Sequence, residues 1–142
     1  MTDARGQAES LPARDHALAA RVLIVEDEPA LREVARRILD RNGYHVLTAA
    51  SGLAAIDLVT NRPGRIDLLL TDVIMPQMMG EEVAQRIRAR QPGVRVLYMS
   101  GYTQGPLSAQ GVLAPGVNLI EKPFSEPSLL ATISNILTRP AG

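Results

Sequence analysis

Five side chains able to do chemistry stand where apolar runs stop. Glu26 and Asp27 follow "RVLIV" at 21–25, and Asp72 follows "IDLLLT" at 66–71. Ser100 closes "VRVLYMS" at 94–100, and Lys122 follows "VNLIE" at 117–121. If the runs are neighbouring strands, three carboxylates, a hydroxyl and an ammonium converge at one edge. Two carboxylates about 5 Å apart repel by roughly 3 kcal/mol at an effective dielectric near 20. One lysine cannot balance three of them, so the set calls for a further cation. Oxygen donors without His or Cys favour a hard divalent ion, Mg²⁺ before Ca²⁺, with open positions for water and a phosphoryl oxygen. A metal, an ammonium and a hydroxyl around one aspartate describe a phosphoryl site, with Asp72 as nucleophile.

The elements that must position these groups alternate regularly. Strands are predicted at 21–25, 45–49, 66–71, 94–100 and 117–120. A helix opens at Pro29, which suits a first helical turn, carries Leu31, Val34, Ala35, Ile38 and Leu39, and closes at Asn42-Gly43. Further helices are predicted at 54–60 with Ser51 as N-cap, at 81–90, and at 126–137, with a short one inside 103–113. Strands that read as unbroken apolar runs between helices imply a parallel sheet covered on both faces. Five units are too few for an eight-unit barrel, so an open doubly wound α/β sheet with five helices is expected, its ligand site beyond the carboxyl ends of the strands.

Composition narrows the class. The chain has 142 residues, 46% hydrophobic and 21% charged, enough for one domain with a sizeable core. Aromatics are 3%, so the core must be aliphatic. Fifteen basic and fifteen acidic residues cancel, which argues against nucleic acid or anionic membrane as partner. No cysteine is present, which excludes disulfides and thiolate chemistry. Residues 1–20 read as a tail or linker without a signal-peptide core, and no apolar run reaches membrane-span length, so a cytoplasmic location is expected.

Four motifs in register, "VEDEP" at 25–29, "DVIMPQMMG" at 72–80, "MSGYT" at 99–103 and "EKPF" at 121–124, make 21–139 resemble a response regulator receiver domain of two-component signalling. The resemblance implies a flavodoxin-like sheet of order 2-1-3-4-5. It implies that Asp72 is the phosphoacceptor, with Mg²⁺ held by Asp27, Asp72, the Ile74 carbonyl and, through water, Glu26. Ser100 matches the hydroxyl that moves to the phosphoryl group, Lys122 the ammonium, and Lys122–Pro123 a bond that is cis in the family. The implied donor is a histidine kinase or histidine phosphotransfer protein, the receptor of the signal a downstream protein or a second copy in a homodimer. The chain departs from the family at Leu119, where an aromatic usually stands; Tyr102 is the nearest ring that could replace it in a switch with Ser100. Bulky Ile74 and Tyr102 imply a long-lived phosphoryl-aspartate. "SGYT" with "EKPF" is most similar to receivers of hybrid sensor kinases.

Each residue also has a plainer reading. Glu26 and Asp27 before Pro29 suit a helix cap, and an aspartate after a strand suits a turn; the combination with Ser100 and Lys122 favours the site. Glu28 and Arg32 read as a solvated helix-face pair, and Arg86, Arg88 and Arg90 as a solvated face. Met75, Met78 and Met79 read as gap-filling packing. His16 and His45 belong to no metal set. A Mg²⁺-dependent phosphohydrolase using an aspartyl phosphate is the rival reading, disfavoured because Ile74 stands where such enzymes carry a second acid. A receiver-fold module without phosphorylation is the third, disfavoured by the complete set of five. The chain is therefore expected to catalyse its own modification rather than to turn over a substrate.

Overall fold

Short β-branched and leucine runs become strands here because both of their faces are covered. In the computed structural model, which describes residues 20–101 and 117–139, the elements are β1 (Arg21–Val25), α1 (Pro29–Arg41), β2 (His45–Ala49), α2 (Gly52–Asn61), β3 (Leu68–Asp72), α3 (Gly80–Arg90), β4 (Arg95–Ser100), β5 (Asn118–Glu121) and α4 (Glu126–Thr138). The strands form one parallel sheet in the order β2-β1-β3-β4-β5, the doubly wound order expected. Four helices lie among the described residues. The short helix predicted inside 103–113, the tail at 1–19 and Tyr102 lie outside them.

Successive strand residues feed opposite faces. Leu23, Val25, Leu69, Val96 and Tyr98 pack with Ala55, Val59, Val83 and Ile87 of α2 and α3. Val22, Ile24, Leu68, Leu70, Leu97 and Met99 pack with Ile38 and Leu39 of α1 and Leu129 and Ile133 of α4. β3, the middle strand, is buried along its whole length. Its last residue is therefore a carboxylate in a dry, rigid setting.

The helix boundaries follow local chemistry. Pro29 opens α1 at its first turn, and Gly43 takes φ 95° just past its end. Ser51 caps α2 by accepting the Ala54 N–H at 3.1 Å, and Ser125 caps α4 by accepting the Ser128 N–H at 3.2 Å. β1 and β2 match the predicted bounds, while β3, β4 and β5 differ by one or two residues, with Asp72 and Glu121 inside β3 and β5 rather than after them. Hydrogen bonding sets these ends: the Val73 N–H bonds the Met99 carbonyl at 3.0 Å, carrying the ladder one residue past Asp72. No helix among the described residues is long and apolar enough to cross a membrane.

Candidate functional site

The carboxyl ends of β1, β3, β4 and β5 meet at one edge of the sheet. β1 runs directly into Glu26, 1% exposed, and the exposed Asp27; β3 ends on Asp72, 2% exposed; β4 ends on the fully buried Ser100. Ser100 pairs in register with Glu121, and its carbonyl accepts the Lys122 N–H at 2.7 Å, which sets the lysine at the head of the cluster. The Lys122–Pro123 peptide is cis, as the resemblance implies.

Four of the predicted residues, Glu26, Asp27, Asp72 and Lys122, come together in one charge arrangement, with Ser100 at the neighbouring strand end. Lys122 Nζ donates to Asp72 Oδ1 at 2.8 Å and to Glu26 Oε1 at 3.2 Å. Glu26 Oε2 accepts the Glu28 N–H at 3.0 Å, so both oxygens of that buried carboxylate are held. Carboxylate oxygens of Glu26, Asp27 and Asp72 lie within 4.8 Å of one another. Asp72 Oδ2 is buried and has no hydrogen-bond partner. A buried acceptor left without a donor costs about 1–3 kcal/mol, more when charged. That orphan oxygen beside two further carboxylates fits a hard divalent cation, and the donor set is all oxygen. Asp27, Asp72 and Glu26 are the residues placed to hold it. Ile74 follows in the β3–α3 loop and is 38% exposed.

Burial and the neighbouring Glu26 carboxylate push the Asp72 carboxyl up to about 8 against the opposing Lys122. Burial also acts to raise Glu26, yet the adjacent Asp72 carboxyl, the Glu28 N–H and the Lys122 charge hold it below its usual value. Of the two carboxyls, Asp72 is therefore the one that favours its proton. Burial opposes the charge on Lys122, but the two carboxylates hold its pKa above the usual value.

A carboxyl raised on folding adds stability that is complete at low pH and is lost as pH rises through the folded value. The contribution of Asp72 to the metal-free chain should therefore fade as pH approaches and passes about 8. A cation at this site must displace that proton. Apparent Mg²⁺ affinity should rise about tenfold per pH unit below about 8 and level off above, one proton being released. Calorimetric titration in buffers of different ionisation enthalpy checks this; an affinity constant across that range contradicts it.

The loop after β3 is shaped to keep the site in place. Met75 and Met78 are buried in the core, as expected for packing methionines, and Met79 is half-buried. Gln77 takes φ 73° at the centre of a three-residue turn, closed by the Met78 N–H on the Pro76 carbonyl at 2.8 Å. Gly80 then opens α3, its N–H bonding the Val73 carbonyl at 2.9 Å. A Cβ at Gly80 would stand 1.9 Å from the Asp72 carbonyl oxygen.

One predicted residue gains a setting and one expectation changes. Leu119, considered for a switch, is a half-buried member of the core that lies opposite Tyr98 in the β4–β5 register. Arg32 does not pair with Glu28: its Nη1 donates to the Glu26 carbonyl at 2.8 Å, and it makes no ion pair with a carboxylate among the described residues. Sequence reasoning missed that role because the contact depends on how α1 leaves β1. The expectation for the arginine run holds, with Arg86, Arg88 and Arg90 exposed.

Comparison with known proteins agrees with this geometry. The sequence model of the response regulator receiver domain matches residues 22–134. The chain is 32% identical over 127 residues to the sensor kinase CckA of Brucella abortus, covering 89% of this chain and 13% of the kinase. It is 34% identical over 119 residues to the response regulator MprA of a Mycobacterium species, covering 84% of this chain and 51% of the regulator. Among solved structures, the receiver domain of the hybrid histidine kinase CckA superposes with a TM-score of 0.70 at 33% identity, over 84% of this chain and 100% of that one. The chemotaxis response regulator CheY4 of Vibrio cholerae gives 0.72 at 30% identity, over 84% of this chain and 99% of that one. The chain thus spans a small part of the kinase and about half of the regulator, while spanning whole receiver domains. With the predicted motifs, the sheet order and the converging site in agreement, the chain belongs to the response regulator receiver domain family of two-component signalling.

Proposed function

We propose that the chain receives a phosphoryl group on Asp72 from a phosphohistidine of a histidine kinase or histidine phosphotransfer protein, and passes the signal on through its surface at 100–120. The observation that carries this reading is the buried Asp72, with Oδ1 on Lys122 and Oδ2 lacking a donor beside Glu26 and Asp27. Asp27, Asp72, Glu26 through water and the Ile74 carbonyl would hold Mg²⁺, which supplies charge neutralisation for the transferring group. Asp72, having given up its proton, attacks phosphorus through a carboxylate oxygen, the phosphorus–nitrogen bond breaks, and the imidazole, already protonated on its other ring nitrogen, leaves as the neutral base. Lys122 steadies the attacking carboxylate and then the phosphoryl oxygens. The sheet holds Asp72 rigidly for in-line approach.

The new group adds a charge of about −1.5 to −2 and draws the Ser100 hydroxyl and Lys122 towards it. Complete switching from 1:99 to 99:1 needs about 5.5 kcal/mol, whereas one charge-assisted hydrogen bond supplies roughly 1.5–3 kcal/mol. With Leu119 in place of an aromatic and Tyr102 as the nearest substitute ring, phosphorylation alone shifts the population in part and a partner completes the change. That partner is a downstream protein or a second copy of the chain, in the cytoplasm. The domain catalyses its own phosphorylation and slow dephosphorylation, and no further turnover.

Reaction with phosphoramidate, a small phosphorus–nitrogen donor, and Mg²⁺, followed by borohydride reduction and peptide mapping, tests the assignment. Homoserine at position 72 is the expected product; reduction at Glu26 or Asp27, or nowhere, contradicts it. The flanking Ile74 and Tyr102 should also make the label persist for hours at neutral pH. Loss within seconds to minutes, followed by phosphate release after removal of the donor, would show that these positions do not slow hydrolysis.

A further inference from the structure

Asp27 is the exposed member of the acidic cluster, and no hydrogen bond or ion pair among the described residues holds its carboxylate. Its direction is set only by the peptide from which it grows. That peptide begins at Glu26, where β1 has ended but the backbone is still buried. A buried carbonyl needs a donor. The Glu26 N–H bonds the Ala49 carbonyl at 3.1 Å, continuing the sheet, but the Glu26 carbonyl lies past the last strand pairing.

Arg32 supplies that donor. It sits in the first turn of α1, its own N–H bonding the Glu28 carbonyl at 3.0 Å. Helical side chains lean back towards the N-terminus, and the guanidinium reaches over the turn to donate to the Glu26 carbonyl at 2.8 Å. Backbone and side chain of one arginine therefore grip the acidic loop at both ends, Glu26 and Glu28, with Asp27 between them. Resting on the reading of the site given above, we propose that Arg32 is a positioning residue for Mg²⁺: it fixes the Glu26–Asp27 peptide so that the Asp27 carboxylate faces Asp72.

The sign of its effect separates positioning from simple charge. A cation near three carboxylates repels Mg²⁺, so removing it should tighten binding if charge were its only influence. Positioning requires the reverse. Groups that orient metal ligands typically alter metal affinity 10–100-fold when removed. Titration calorimetry with Mg²⁺ on the wild type, Arg32→Met and Arg32→Lys, with metal-free melting curves of all three, makes the test. Arg32→Met should weaken Mg²⁺ about tenfold with only a modest fall in metal-free melting, the cost of the donor lost to the Glu26 carbonyl, and Arg32→Lys, which keeps a donor, should fall between. If Arg32→Met is too unstable to titrate, a weakened Arg32→Lys with wild-type melting carries the expected result. Affinity unchanged or tighter in a folded variant overturns the inference, and so does an affinity loss matched by a large fall in melting temperature. Wild-type protein that binds no Mg²⁺ overturns the reading of the site as well, so the two failures are distinguishable.

Discussion

Gly80→Ala is expected to lower the melting temperature by about 10 °C or more. The Cβ would lie 1.9 Å from the Asp72 carbonyl oxygen, 3.0 Å from its carbonyl carbon and 3.3 Å from the Val73 Cα. All three are backbone atoms of β3 and its exit, so no side chain can rotate out of the way. Overpacking a well-filled interior costs about 1–3 kcal/mol when side chains can adjust, and more when they cannot. For a domain of this size each kcal/mol shifts the midpoint by about 4 °C. Relief by moving α3 would break the Gly80 N–H bond to the Val73 carbonyl and draw Asp72 out of line with Lys122. Mg²⁺-dependent labelling should thus fall even in the fraction that stays folded. A variant that melts within about 2 °C of wild type would show that the β3–α3 loop yields more easily than its contacts imply.

The second large effect is expected at Lys122. Its ammonium bonds Asp72 and Glu26 together, and the side chain is 18% exposed, so it works in a partly dry setting. Lys122→Met keeps the stem and removes the charge. Removing one donor aimed at developing charge typically costs about 10²–10³-fold in rate, and labelling of Asp72 should slow by about that factor. Mg²⁺ binding should survive, because Asp27, Asp72 and Glu26 remain and a competing cation has gone. Without the ammonium the proton on Asp72 is held more tightly, so the pH at which Mg²⁺ affinity levels off should move upward. Stopped-flow or quenched labelling with acetyl phosphate, beside a Mg²⁺ titration, separates the two quantities. Equal rates for variant and wild type would remove Lys122 from the chemistry.

The sequence makes the site legible because its members interrupt runs that burial on both faces keeps apolar. An aspartate closing "IDLLLT" or a serine closing "VRVLYM" stands out against that background, and parallel topology then places all such ends at one edge. Strand ends were less legible, since Asp72 and Glu121 belong to the ladder through main-chain bonds that no side chain announces. Arg32 is a clearer case. Its spacing from Glu28 matches a helix-face ion pair, and only the angle between β1 and α1 turns it onto a carbonyl instead. The positive φ of Gln77 was equally hidden, because glutamine carries none of the usual marks of a left-handed residue. Leu119 shows the reverse: its missing ring was plain in the sequence, while its burial opposite Tyr98 needed the register of β4 and β5.

The central claim is that Asp72 accepts a phosphoryl group with the help of Mg²⁺. Intact mass after incubation with acetyl phosphate, on wild type and Asp72→Asn with and without Mg²⁺, tests it most directly. One phosphoryl adduct of about 80 Da is expected on wild type with Mg²⁺, the charge-bearing group a receiver domain needs, and none on the variant or without the metal. No adduct on wild type under conditions that label another receiver, or an adduct that persists in Asp72→Asn, would contradict it.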